Sequence, residues 1–244
     1  MATRKRAIAS LATGVPRGRA LPHPDYPPSA YKVILEACQV AWVRLKQTMA
    51  GIEMAREDQI TLGLQRVLND MRLEGSPTVR GFNYRAFDRV IRGESICDHT
   101  GTRLGKSPDL VFRTVSSGSP VFLEDHHAVF VEAKIVDRGG HPVRLYTVKG
   151  LLRYVNGEYA WAMPSGLMLG YARDRCTVAD VLVPYLRQRK RRGGDALKTR
   201  ALPATAPGMG VPEPWRSTHG RTWRYGGSGA RPGPIDVWHL WLDV

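Results

Sequence analysis

Two short stretches place charged residues where an apolar strand is expected. "SPDLVF" at 107–112 opens on Pro108 and Asp109, and "VFVEAKIV" at 129–136 sets Glu132 and Lys134 among Val129, Phe130, Val131, Ile135 and Val136. A charge inside such a run is costly unless it is paired, hydrogen-bonded or bound to a metal. With a strand period of two, Glu132 and Lys134 share one face while Ala133 and Ile135 take the other. If the runs are hairpin neighbours, Asp109 lies near Glu132 at one end of the sheet. Two carboxylates at close range repel unless a cation separates them. Mg²⁺ or Mn²⁺ suits that place, because hard cations take carboxylate oxygens, waters and substrate phosphates. The Lys134 amine then orients or deprotonates a water, or stabilises charge building on phosphorus. The chemistry of the set is phosphodiester hydrolysis. The bland alternative is an edge-strand ion pair on an exposed face.

"SPDLVF" followed by "VFVEAKIV" resembles the PD-(D/E)xK superfamily of restriction-endonuclease-like nucleases, with the match on Pro108, Asp109, Glu132 and Lys134 and with Ala133 as the variable residue. The resemblance implies a central four-stranded mixed sheet flanked by helices. It also implies that Asp109 and Glu132 bind a divalent metal while Lys134 assists the attacking water. It reaches roughly residues 52–183. Nucleases of this kind often carry a further acid on the first core helix. Ile60, Leu64, Val67, Leu68 and Met71 form one helical stripe there, and Glu57 falls inside it whereas Asp58 lies off it. Glu57 is thus a candidate third metal ligand; the competing reading is a first-turn Glu favoured by the helix dipole.

The elements that must position these residues follow from periodicity. "AYKVILEACQVAWVRLKQTM", capped by Ser29, and "AREDQITLGLQRVLNDMRL" read as helices, and 79–104 as an irregular strand region. Helical spacing returns at 141–157, a short strand at 166–172, a helix from Thr177 into "RQRKRRGG", and a final strand at 234–243. Gly, Pro and Ala dominate 193–214, which reads as part of an internal linker at about 190–214. The order points to a single α/β domain with a mixed sheet over 29–244, preceded by a disordered basic arm at 1–28.

Other polar groups have simpler roles open to them. Tyr146, Lys149 and Arg153 share a helical face that either contacts phosphate or is solvated. Tyr154, Tyr159 and Trp161 suit the core better than base stacking. "EDHH" at 124–127 lacks a third ligand at zinc spacing. Ser217, His219 and Arg221 alternate, so an extended chain presents a hydroxyl, an imidazole and a guanidinium on one side as auxiliary groups near a phosphate or carboxylate. The alternative is a polar loop.

Charge names the partner. The chain of 244 residues carries a net +14, of which residues 1–24 supply +5 and residues 184–234 supply +9, leaving the rest neutral. A neutral body with basic extensions fits a protein that grips phosphate, and Arg187, Arg189, Lys190, Arg191, Arg192 and Arg221 are the candidate contacts. Three unclustered cysteines argue for reduced thiols in a cytosolic protein, and no run is long and apolar enough to span a membrane. The expectation is a metal-dependent nuclease acting on DNA rather than RNA. A non-catalytic nucleic-acid-binding subunit and a basic protein-interaction module are the alternatives. A homodimer or larger complex is a further candidate assembly.

Overall fold

The computed structural model describes residues 21–101, 107–115, 124–193, 195–210, 212–226 and 229–244. Most of the expected basic arm (residues 1–20) and the segment 116–123 between the two motif runs lie outside these residues. Helices α1 (Pro28–Thr48) and α2 (Glu57–Arg72) come first, then strands β1 (Leu110–Phe112) and β2 (Val129–Val136). Helix α3 (143–155), β3 (Ser165–Ala172) and α4 (178–191) follow, and β4 (Thr199–Thr205), β5 (Trp215–His219) and β6 (Ile235–Asp243) complete the chain. The strands form one six-stranded mixed sheet in the order β1-β2-β3-β6-β5-β4. β2, β3 and β6 run parallel at its centre, with antiparallel pairs on either side.

Parallel strands covered on both faces are apolar throughout, and β3 is buried at every position. On one face α1 and α2 close over Tyr171. The Trp42 ring stacks on it at 5.5 Å and the Thr61 and Tyr171 hydroxyls meet at 3.0 Å. On the other face α3 lays Tyr146 against Trp241 with ring centroids 5.4 Å apart. Gly166 allows α3 to sit this close, since a Cβ there would lie 2.7 Å from Tyr154 Cδ1. The Tyr154 hydroxyl in turn donates to the carbonyls of Phe130 and Leu167, at 3.0 and 2.7 Å. This pins α3 over β2 and β3.

Several expectations need correction. The linker read at about 190–214 contains β4, which pairs antiparallel with β5. β4 is an edge strand with two register irregularities, exposed at most positions and carrying Pro203. Edge strands tolerate proline and charge and need no continuous apolar pattern, so the signal was absent. Residues 21–27 of the arm pack on the body. The His23 backbone N–H donates to Ala162 O at 2.7 Å, and the buried Tyr26 ring stacks on His127 at 4.7 Å. The described part of the region 79–104 contributes isolated bridges rather than a strand, among them Phe87 to Thr114 and Ile91 to Val111. α1 begins at Pro28 without a side-chain cap, so Ser29 sits inside its first turn. The sheet has six strands where the resemblance implied four.

Gly166→Ala is expected to destabilise the protein by about 1–3 kcal/mol, the usual cost of overpacking against a ring that cannot retreat. Urea unfolding checks this, and an unchanged midpoint would show that the packing against Tyr154 is slack.

Candidate functional site

The pairing of β1 with β2 ends at Leu110, opposite Val131, so among the described residues β2 has no strand partner on that side from residue 132 onwards. Unpaired backbone groups on a sheet edge must find other partners. Here side chains take them. The Ala133 N–H donates to Asp109 Oδ2 at 2.8 Å, and the Ile135 N–H to Glu57 Oε2 at 3.1 Å. Lys134 Nζ donates to the Ala133 carbonyl at 2.6 Å and to Glu57 Oε1 at 2.8 Å. The same ammonium lies 2.8 Å from Glu132 Oε1 and 3.7 Å from Asp109 Oδ2. Oxygens of all three candidate acids therefore surround one amine. Asp58, one residue along, turns outward to Arg56 at 3.2 Å.

Glu132 is the deepest member, with a side chain only 1% exposed. Its Oε2 accepts from the Tyr159 hydroxyl and, at 3.2 Å, from Arg153 Nη1. Arg153 Nη1 also lies 3.1 Å from Oε1. Two cations therefore stand against the buried Oε1, Lys134 Nζ at 2.8 Å and Arg153 Nη1 at 3.1 Å, neither in good hydrogen-bond alignment with it. Burial, reinforced by repulsion from Asp109, pushes the Glu132 carboxyl up to about 7 against the pull of Lys134 and Arg153. Burial pushes the Lys134 amine down, but Glu132, Asp109 and Glu57 outweigh it and hold the amine above its usual range.

Among the described residues no group of three or more His, Cys, Asp or Glu side chains is arranged as a ready metal cage. The geometry gives the reason, because Lys134 Nζ stands between the carboxylates. The donor chemistry nevertheless fits a hard divalent cation: an all-oxygen set built from three carboxylates, with a buried Glu132 carboxyl whose proton affinity is raised by burial and by Asp109.

The remaining candidates separate. Lys149 is exposed on α3, as are Arg187, Arg189, Lys190, Arg191 and Arg192 at the end of α4. α4 packs beside β4, at the sheet edge opposite β1 and β2. Arg153, expected to contact phosphate, instead meets Glu132. Arg221 is a clear departure. It is 4% exposed and donates to six carbonyls: Nε to Gly233, Nη1 to Ala160, Trp161 and Met163, and Nη2 to Pro232 and Pro234. Its donors are spent on backbone, so it holds loops together and leaves nothing for a phosphate. Tyr154, Tyr159 and Trp161 are buried, as core packing requires.

Ser217 and His219 are likewise fully buried and lie in a relay. His219 Nδ1 meets Leu197 O at 2.9 Å, and Ser217 Oγ lies 2.8 Å from His219 Nε2 and 2.7 Å from His239 Nε2. Tyr146 OH closes the chain on His239 Nδ1 at 2.9 Å. A carbonyl can only accept, so one proton arrangement satisfies every link. Tyr146 donates to His239, His239 to Ser217, Ser217 to His219, and His219 to Leu197, with both imidazoles neutral. Nothing local in the sequence marks Tyr159 and Arg153 as partners of Glu132. A βαβ crossover sets α3 over the face bearing Glu132, so a cation and a hydroxyl on that helix and the loop after it were the groups to seek.

Comparison of the chain with protein-family models, curated proteins and solved structures found no match. No helix among the described residues is long and apolar enough to cross a membrane.

Burial pushes the His219 and His239 imidazoles down to about 4 and about 3. In the unfolded chain they take protons near pH 6.5. Their contribution to stability is therefore complete above about pH 6.5 and is lost as pH falls through about 4 and then about 3. Urea midpoints measured between pH 7 and pH 4 should decline, and a folded His239→Gln variant should decline less steeply. An identical slope for the two proteins would exclude the relay from the acid response.

Proposed function

We propose that this chain is a metal-dependent nuclease of the PD-(D/E)xK type that hydrolyses phosphodiester bonds of DNA. The observation that carries the reading is the convergence of Asp109, Glu132, Glu57 and the Ala133 carbonyl on Lys134 at the open edge of β2. The arrangement β1-β2-β3-β6, antiparallel and then twice parallel, also agrees with the four-stranded mixed sheet that the resemblance implies. β5 and β4 extend it.

Asp109, Glu132 and Glu57 would hold the cation, with the Ala133 carbonyl as a further oxygen. Mg²⁺ or Mn²⁺ bound there supplies Lewis acidity towards the phosphate and acidifies a water. The chain's own groups do the rest. Backbone N–H groups of Ala133 and Ile135 fix the orientation of Asp109 and Glu57, and Tyr159 fixes Glu132. Lys134, held protonated by its neighbours, can orient the attacking water by donation and stabilise the oxyanion that forms at phosphorus. The five exposed cations ending α4 supply a phosphate grip without base readout.

Cleavage of supercoiled plasmid should require Mg²⁺ or Mn²⁺. Asp109→Asn, Glu132→Gln and Lys134→Ala should each lower the rate by at least about 10²-fold with circular dichroism unchanged, in line with what single catalytic groups contribute. Wild-type rates in all three variants would overturn the assignment.

The grip has its own signature. Replacing Arg187, Arg189, Lys190, Arg191 and Arg192 together by Gln should weaken duplex binding equally for all sequences. It should also reduce the salt slope by about 0.9 for each phosphate that is no longer neutralised. Fluorescence anisotropy across a salt series reads both, and an unchanged slope would place the grip elsewhere.

A further inference from the structure

We propose that Arg153 is a metal-displaced phosphate-binding residue: it neutralises Glu132 in the metal-free site and turns to the substrate phosphate when a divalent cation takes Glu132. This rests on the metal-dependent reading above and adds a coupling between metal and nucleic acid that the reading alone does not contain.

Charge sets the problem. Three carboxylates, Asp109, Glu132 and Glu57, surround Lys134, while Arg153 lies between Glu132 and a fourth acid, Glu158, whose Oε2 is 3.9 Å from Nε. A dication added at Glu132 would share that one buried carboxylate with the Arg153 guanidinium. The contested atom is Glu132 Oε1, with Lys134 Nζ at 2.8 Å and Arg153 Nη1 at 3.1 Å. A guanidinium and a dication on one buried oxygen repel strongly at that range. One must yield.

Arg153 is the group free to yield. Its side chain is 30% exposed against 13% for Lys134, and it stands on α3, whereas Lys134 is fixed within β2. Its departure does not release Glu132, because Tyr159 is buried, neutral and still donates to Oε2. Tyr159 thus positions the carboxylate in both states while Arg153 supplies charge in one. Once released, the planar guanidinium has the fork geometry that matches two phosphate oxygens, and it lies one carboxylate away from the metal position. The ligand is a phosphodiester of the nucleic-acid backbone.

Isothermal calorimetry with Mn²⁺, on the full chain with and without a phosphorothioate-substituted DNA duplex, tests this. Wild type should bind Mn²⁺ more tightly with duplex present, and duplex more tightly with Mn²⁺ present, by the same factor. Arg153→Gln should bind Mn²⁺ alone about tenfold more tightly, because a competing charge is gone, and should lose most of the coupling. Arg153→Lys keeps the charge but not the fork, so its affinity for Mn²⁺ alone should stay within about twofold of wild type while the coupling falls.

A residue that merely props Glu132 predicts the opposite sign, with weaker Mn²⁺ binding in Arg153→Gln and coupling intact. That result overturns the proposal and leaves the metal-dependent reading standing. If Arg153→Gln fails to fold, tightened Mn²⁺ binding by Arg153→Lys would overturn it equally, since charge could then not be the cause. Absence of any Mn²⁺ binding to wild type would overturn the metal-dependent reading and this proposal together.

Discussion

Everything at the candidate site depends on how one strand edge is finished. β1 covers only the first part of β2, and the uncovered part would otherwise leave polar backbone groups without partners. Asp109 and Glu57 take the N–H groups of Ala133 and Ile135, and Lys134 folds back onto the carbonyl of Ala133. The acids are therefore oriented by backbone rather than by other flexible side chains. Backbone in a buried strand is the most rigid scaffold a protein offers, and it aims both carboxylates at the same point. A longer β1 would pair the edge fully and displace the acids that now occupy it.

Packing behind the strand reinforces this. α3 presses on the face that carries Glu132, and a Cβ on Gly150 would lie 2.5 Å from Met168 and 3.4 Å from Glu132 Cγ. So close an approach keeps water from the carboxylate and raises its proton affinity. The opposite edge of the sheet is built to different rules. Four strand spacings separate β2 from β4, about 19 Å at the usual ~4.8 Å between strands. Under the proposed function, the exposed cations of α4 and the acids of β2 would meet phosphates far apart on one substrate, or on two strands of a duplex. This division matches the charge distribution, in which residues 184–234, spanning the end of α4, β4 and β5, carry +9.

The legibility of these features in the sequence tracks how local each one is. The acid–amine spacing in "VFVEAKIV", the distance back to Asp109 and the position of Glu57 on a helical stripe are properties of period and order. The structure brings those four residues together. The fold class followed from the same periodicities. β4 escaped because an edge strand with Pro203 and two irregularities carries no alternation to detect. Ser217, His219 and Arg221 escaped for another reason. Alternating polar residues suggest a surface, yet here they are buried because partners distant in sequence, His239, Leu197 and a ring of carbonyls, satisfy every donor and acceptor. Pairing at long range leaves no local trace. Tyr159 and Arg153 were hidden in the same way, one having the marks of a core residue and the other of a surface residue.

A site rich in carboxylates faces a difficulty that precedes any reaction, because the chain must fold before a metal reaches it. Three acids gathered at a buried edge would oppose folding by mutual repulsion and by loss of hydration. The metal-free site meets this with cations from the chain itself and with a partly neutral acid. Lys134 stands among the oxygens, Arg153 lies against Glu132, and burial raises Glu132 far enough that it holds a proton part of the time near neutral pH. Each device is reversible. A proton can leave, an amine can turn towards water and a guanidinium can swing outward. The same features that make the cluster tolerable without a cation leave it open to one, so fold stability and metal affinity need not be supplied by the same interaction.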